Sequence, residues 1–286
     1  MAPPPGASYT RAHSPMTDLL RTYERGCLRV TLNRPAKRNA VSRDTLRELK
    51  AVFDAHAGLD DLRLAILGGA GEVAFCAGAD LADLAGARDE EATEAFAGDA
   101  TAALDAVRLF PVPTVAVLNG AALGGGAELA LACDMRLAAA HARLGYIHAE
   151  IHTATGWGGG PDLARLVGYA TAMELLASAR ALAAAEAQAV GLINHVAPAG
   201  ADLLEFVDRF LEPMRERPPH VMRALKSQAL AVRFGWSVEV RREAEREHFV
   251  RAWLDPAHWM AVDDRFKPAE GTAGASGAEP GEYQGE

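Results

Sequence analysis

The chain has 286 residues, half of them hydrophobic, and a formal net charge of −9. That is enough apolar material for a large core in one large domain or two small ones, and an acidic balance without a concentrated Lys/Arg run argues against nucleic acid or an anionic membrane as main partner. Cys27, Cys76 and Cys133 show no CxxC spacing and leave an odd one over, which argues against a disulfide framework or zinc knuckle and leads us to expect a reducing cytoplasm.

Residues 1–16, MAPPPGASYTRAHSPM, lack the apolar core of a secretory signal and are predicted to be a flexible leader. Arg11, with no acid before Asp18, would suit a transit peptide, but three early prolines oppose the amphipathic helix such peptides form. No apolar run approaches the ~20 residues that span a bilayer. Leu28–Leu32 alternates as a half-buried strand does, and NRPAKRNAVS follows as a polar loop. Ser42 is an N-cap candidate for a helix whose apolar stripe is Leu46, Leu49, Val52 and Phe53. The aliphatic density of Leu62–Leu67 predicts a strand buried on both faces. GGAGEVAFCAGADL, residues 68–81, then reads as a glycine-rich strand exit and a turn, with helix resuming through Leu81, Ala82 and Leu84. Asp89–Phe110 reads as a partly exposed helix walling one side of a site.

The stretch NGAALGGGAELALACD, residues 119–134, is the most informative. The strand Val115–Leu118 enters it, and three consecutive glycines, Gly124 to Gly126, open a helix that continues through Leu129 and Leu131. Glycine amides at a helix N-terminus, with no side chain in the way, form an anion site. Glu128 in the first turn is either a capping carboxylate or a catalytic acid/base. MRLAAA gives a short strand, and residues 141–168 form a second loop mixing histidines, aromatics and glycines, with Pro161 near the next helix start. Ala170 to about Arg265 is nearly all helical in pattern, with Gly191 ending a helix before a short strand, and residues 269–286 are predicted to be disordered. The repeated strand, glycine loop and helix predict a layered α/β domain with a ββα rhythm. Neither GxGxxG nor the Walker A pattern fits the two glycine loops.

FCAGADL, PVPTVAVLNGAALGGGAELALACDMRLAA, GWGGGPDLARLVG, AQAVGLINHV and the late RFKP, taken in order, resemble the crotonase (enoyl-CoA hydratase/isomerase) superfamily from about Tyr23 to Pro268. The resemblance implies a crotonase-like ββα spiral over residues 17–200 and a C-terminal helical trimerisation region over 201–268. It implies an acyl-CoA or acyl-carrier thioester as substrate, coenzyme A as part of that substrate and no other cofactor, no metal, and a homotrimer or hexamer. By motif, the backbone amides of Ala79 and Gly125 form an oxyanion hole for a thioester enolate. Coenzyme A contacts map to Lys37, Asn39 and Ala40, to Ala77, Asp80 and Leu81, and to Lys267.

Hydratases of this family hold a water between two glutamates, and Glu128 stands where the first belongs. A gap-free count places His148 at the second position, with Glu150 two residues later. A His within YIHAE…GWGGG, together with RPPHVMRALKSQAL at 217–230, resembles the branch of ethylmalonyl-CoA and methylmalonyl-CoA decarboxylases. The reading therefore leans to decarboxylation of an alkylmalonyl-type thioester, with Glu128 and His148 at the reacting carbon. Enoyl-CoA hydration or isomerisation is the alternative, with Glu150 the candidate should it occupy the second position; a non-catalytic oligomeric binding protein is the remote one. His148 also has a purely structural reading, and HAEIH a metal-binding one, though it is not HExxH. His152 replaces a residue usually small in the family, and Trp157 either lines the acyl pocket or packs on the following helix.

Overall fold

The computed structural model describes residues 17–266. The expected leader, the expected tail from 269 and the expected contact at Lys267 lie outside them. The chain runs β1 (Leu19–Glu24), β2 (Cys27–Leu32), α1 (Arg43–Ala57), β3 (Leu64–Gly69), β4 (Ala74–Cys76), α2 (Glu90–Arg108), β5 (Thr114–Leu118), β6 (Ala121–Leu123), α3 (Gly125–Ala132), β7 (Met135–Ala138) and β8 (Arg143–Gly145). It continues through α4 (Gly159–Val167), α5 (Tyr169–Ser178), β9 (Ala181–Ala183), α6 (Ala184–Ala189), β10 (His195–Val196), α7 (Leu203–Arg215), α8 (Pro219–Arg233), α9 (Val238–Trp253) and α10 (Pro256–Phe266).

Two sheets organise these elements. One has six strands in the order β1-β2-β3-β5-β7-β10, parallel except for the β1–β2 hairpin; the other has four, β4-β6-β8-β9, with β9 antiparallel. Each turn of the spiral places one strand in each sheet and then a helix: β3, β4, α2; then β5, β6, α3; then β7, β8 and, after a short loop, α4. This is the ββα spiral that the motifs implied. The pattern also explains why β4, β6 and β8 escape periodicity: three residues are too few to show an alternation.

Local chemistry sets the helix starts. The Ser42 side chain accepts from the N–H of Thr45, and that of Asp89 from Ala92, each supplying one acceptor for the otherwise unpaired first turn. Two expectations need correction. The strand predicted at Leu62–Leu67 is Leu64–Gly69, because its glycine end is what allows it to continue: a methyl group at Gly69 would stand 2.5 Å from the carbonyl oxygen of Phe75. Leu81 to Leu84 is not helical but a run of turns. Leu81 is 64% exposed and has no apolar face to bury, while the Asp80 carboxylate accepts from Ala82 N–H in an Asx-type turn.

The main core lies between the sheets and helices α1 to α6, with Leu28, Leu46, Phe53, Phe75, Leu104, Leu118 and Leu129 among its residues. A second cluster fills the other face of the six-stranded sheet, where Leu64, Ile66, Val115, Val117 and Leu137 meet Val207 and Leu211 of α7. β3 is therefore buried on both faces. Among the described residues no helix is long and apolar enough to cross a membrane.

Candidate active site

The first turn of the site leaves β4 through Ala77, Gly78 and Ala79. Gly78 has φ +98°, and a methyl group on it would lie 3.0 Å from the Leu123 carbonyl and 3.1 Å from the Gly125 nitrogen. Glycine thus lets this loop run against the start of α3. Val41 grips it edge-on: Val41 N–H donates to the Gly78 carbonyl and Asp80 N–H to the Val41 carbonyl, both at 2.9 Å. In that parallel bridge the N–H of Ala79 points away from Val41, and no acceptor among the described residues takes it.

The second turn connects β6 to α3. Gly124, at φ +56°, donates to the Gly145 carbonyl at 2.9 Å, and its own carbonyl accepts from Ala127 and Glu128. The N–H groups of Gly125 and Gly126 have no acceptor among the described residues. α3 is buried along its whole length. Its C-terminal carbonyls are capped by two guanidinium groups: Arg136 donates to Ala130 and Cys133, and Arg233 to Leu131 and Ala132. Positive charge at the carbonyl end and unpaired donors at the amide end both suit an anion held at Gly125.

Glu128 faces this end of α3 and is 1% exposed. Its Oε2 accepts from Trp157 N–H at 2.9 Å and Gly159 N–H at 2.8 Å. Its Oε1 lies 3.1 Å from Nε2 of His148. The two backbone donors fix the orientation of the carboxylate. His148 is carried by a short 3-10 helix, Ile147–Ile151, and its Nδ1 is buried with no partner among the described residues. Tyr146, immediately before that helix, donates its hydroxyl to the Gly159 carbonyl at 3.2 Å, tying the His148 segment to the turn that holds Glu128. Burial pushes the Tyr146 phenol well above its ordinary range, with the nearby Glu128 charge adding to the shift, so it acts as a neutral donor.

Trp157 is buried in the core, but against α3 and α2. Its backbone holds Glu128, and its indole is buried against Gly125, where a methyl group would stand 2.2 Å from the ring. Phe96 of α2 meets that ring edge-on at 5.7 Å, so α2 does wall the site. Glu150 and His152 are exposed on the outer side of the 3-10 turn, with His152 its left-handed cap at φ +58°. The structure brings together Ala79, Gly125, Glu128 and His148, and leaves Glu150 outside that group.

The expected coenzyme A positions divide. Lys37 is half exposed, with Nζ 3.4 Å from Asp80, and Leu81 is open to solvent. Asp80 is buried and also receives Arg34 at 2.9 Å, a partner sequence reasoning missed. Asn39 has its side chain fully used by the fold: its oxygen accepts from Arg34 N–H, and its nitrogen donates to the carbonyls of Ala70 and Ala74. Ala40 and Ala77 offer only backbone, and both are engaged, the Ala40 carbonyl by Arg34 and the Ala77 N–H by Arg38. No group of three or more His, Cys, Asp or Glu side chains among the described residues is placed to hold a metal ion.

A two-sheet ββα spiral whose glycine turns leave unused N–H donors beside a buried carboxylate defines an α/β enzyme of the crotonase class. The chain belongs to the enoyl-CoA hydratase/isomerase family, whose profile matches residues 22–252. It is similar to the mitochondrial methylglutaconyl-CoA hydratase of Rattus norvegicus, with 36% identity over 221 residues, 77% of this chain and 70% of that protein. It is also similar to the short-chain-enoyl-CoA hydratase of Clostridium acetobutylicum, with 37% identity over 167 residues, 58% of this chain and 64% of that one. Among solved structures, the enoyl-CoA hydratase from Bacillus anthracis superposes with a TM-score of 0.81 at 30% identity, covering 87% of this chain and 96% of that chain. These relatives are hydratases, so the kinship with alkylmalonyl-CoA decarboxylases read from His148 has no counterpart among them.

Proposed function

We propose that the protein acts on an enoyl-CoA thioester as a hydratase or isomerase, with Glu128 as acid/base and the N–H groups of Ala79 and Gly125 holding the enolate oxygen. The observation behind this reading is that the fold leaves the N–H groups of Ala79 and Gly125 unused, beside a carboxylate whose orientation is fixed by the amides of Trp157 and Gly159. In hydration, water adds to C3 of the enoyl group as Glu128 takes its proton, and the electron pair moves to the thioester oxygen. The two amides meet that charge where it develops, and as the enolate collapses C2 takes that proton back from Glu128. A single preorganised donor of this kind is typically worth about a hundredfold or more in rate. In isomerisation the same carboxylate removes a proton at one carbon and returns it at another. His148 Nε2, 3.1 Å from Glu128 Oε1, stands beside the carboxylate on either path. The chemistry needs coenzyme A only as the carrier of the acyl group; an acyl-carrier protein would present the same thioester. Three free thiols support a reducing compartment, which we propose to be the cytoplasm.

A second reading is favoured by one observation, an imidazole where hydratases of this family have a second carboxylate. Loss of carbon dioxide from an alkylmalonyl thioester leaves the electron pair as the same enolate and needs no base. A carboxylate at His148 would repel the substrate's own charge, whereas an imidazole attracts it or supplies the proton that C2 takes up. A panel of crotonyl, 3-enoyl, malonyl, methylmalonyl and ethylmalonyl thioesters, read by mass spectrometry, decides between them. Turnover of the enoyl substrates, abolished in Glu128→Gln, supports hydratase or isomerase chemistry. Turnover confined to the malonyl series, with His148→Ala costing about a hundredfold or more there, supports decarboxylation. No turnover of any member would favour a binding protein that kept the fold.

A further inference from the structure

A buried arginine outside the reacting centre touches the turn that holds Glu128. Arg108, the last residue of α2, is 4% exposed. Its Nη2 donates to the Trp157 carbonyl at 2.6 Å, its Nε to Asp162 at 2.8 Å and its Nη1 to Asp105 at 2.8 Å. Gly158, at φ +88°, makes room for it, since a methyl group there would stand 2.9 Å from Nη2. On the other side of the same peptide segment, the N–H groups of Trp157 and Gly159 donate to Glu128. A methyl group at Gly159 would meet the Glu128 side chain at 2.4 Å, so the turn lies directly on the carboxylate. The Trp157 indole meanwhile bears on Gly125, whose N–H is the second oxyanion donor.

We infer that Arg108 is the positioning residue for both halves of the machinery: by holding the Trp157 carbonyl it sets the turn whose amides orient Glu128 and whose indole backs Gly125. The inference deepens the proposed enolate chemistry and rests on it for its kinetic consequences only. A guanidinium suits the task because its planar fork reaches the carbonyl and the Asp162 carboxylate at once, which a lysine ammonium cannot do with the same geometry. Asp162 is itself held by Arg233 of α8 and by the half-exposed Arg165. The turn is thus fixed through Arg108 of α2, Asp162 of α4 and Arg233 of α8.

The test compares Arg108→Lys, Arg108→Met and the control Arg165→Met, which removes a partner of Asp162 without touching the Trp157 carbonyl. Amide hydrogen exchange at Trp157 and Gly159 is the readout that does not depend on substrate. In both Arg108 variants these two amides should exchange about tenfold faster or more, with the amides of β3 and β5 unchanged, because only the local turn is released. On whichever thioester is turned over, kcat should fall about tenfold to a hundredfold with KM within about threefold, since a misplacement near 1 Å is enough for such a loss. The lysine variant should recover part of it and Arg165→Met should behave as wild type. If Arg108→Met does not fold, Arg108→Lys is read by the same criteria. Unchanged exchange at Trp157 and Gly159 in a folded Arg108 variant overturns the positioning role, as does a uniform rise across the sheet. Failure of the whole substrate panel would instead count against the proposed chemistry, and the exchange data would still judge Arg108.

Discussion

Glu128 is a buried carboxyl group whose polar atoms the fold must satisfy. An unpaired carboxylate at 1% exposure would cost several kcal/mol; here two amides donate to it and the His148 imidazole lies 3.1 Å from its other oxygen. The same residues restrict what Gly125 can be. Its N–H is one of the unused donors, and its α-carbon is in contact with the Trp157 ring, so even one methyl group would drive the indole away and take the Glu128 turn with it. Gly125→Ala keeps the amide, yet should lower kcat/KM on the productive thioester by about a hundredfold or more while circular dichroism remains native. Near-normal turnover in a folded Gly125→Ala protein would mean that this amide and the indole behind it do not set the rate.

At the scale of elements, the site depends on loops being tied to one another rather than on any one helix. Asp80 links the loop after β4 to the segment before α1, through Arg34 and Lys37. Burial works against the Asp80 charge, but the hydrogen bonds and charges of Arg34 and Lys37 outweigh it and hold the carboxyl below its ordinary range. A carboxyl depressed in the folded state contributes stability that is complete above its unfolded value, about 3.9, and is lost as pH falls through the folded one. Thermal melts from pH 6 downward should therefore show wild type losing stability more steeply below about pH 4 than Asp80→Asn does, starting from a higher value. Parallel curves would show that the Asp80 contacts contribute nothing to holding the loop that carries Ala79.

For the molecule as a whole, α8 is fastened to the spiral by charge. Lys226, 2% exposed, lies 2.6 Å from both oxygens of Asp134, the residue after the Cys133 cap of α3, and Arg233 bridges to Asp162. Beyond α8 the character changes. α9 buries no residue, and Phe249, Trp253, Leu254, Trp259 and Met260 stand 44–72% exposed on α9, α10 and the link between them. Exposed apolar side chains in this number, with Trp253 in ring contact with Phe249 and Trp259, suit association with another chain. We expect it to close a homotrimer, which sedimentation at micromolar concentration would report as one species of three chains. A monomer in the same experiment would refute that assembly, and charged substitutions at Phe249 and Trp253 should produce such a monomer from a trimeric wild type.

Several features of this protein were written in local sequence. Ser42 and Asp89 are legible as caps because capping needs only a short polar side chain three residues from an orphan N–H, and the Gly124–Gly126 turn is legible because only glycine permits its φ and its close contacts. Glu128 is legible as part of the site because it lies in the first turn of the helix that this glycine run begins. The three-residue strands of the second sheet are not legible, since each gains its hydrogen bonds from strands far along the chain and carries too few residues for a period. Nor is the meeting of His148 with Glu128, twenty positions away, or the choice of His148 over Glu150: on a 3-10 turn two residues differ in face, and only the packing of Tyr146 on Gly159 decides which one turns inward. Arg108 shows the same division. In sequence it is one basic residue at the end of an Ala-rich helix, and it becomes part of the site because burial leaves a guanidinium no solvent and obliges it to find Asp162, Asp105 and the Trp157 carbonyl.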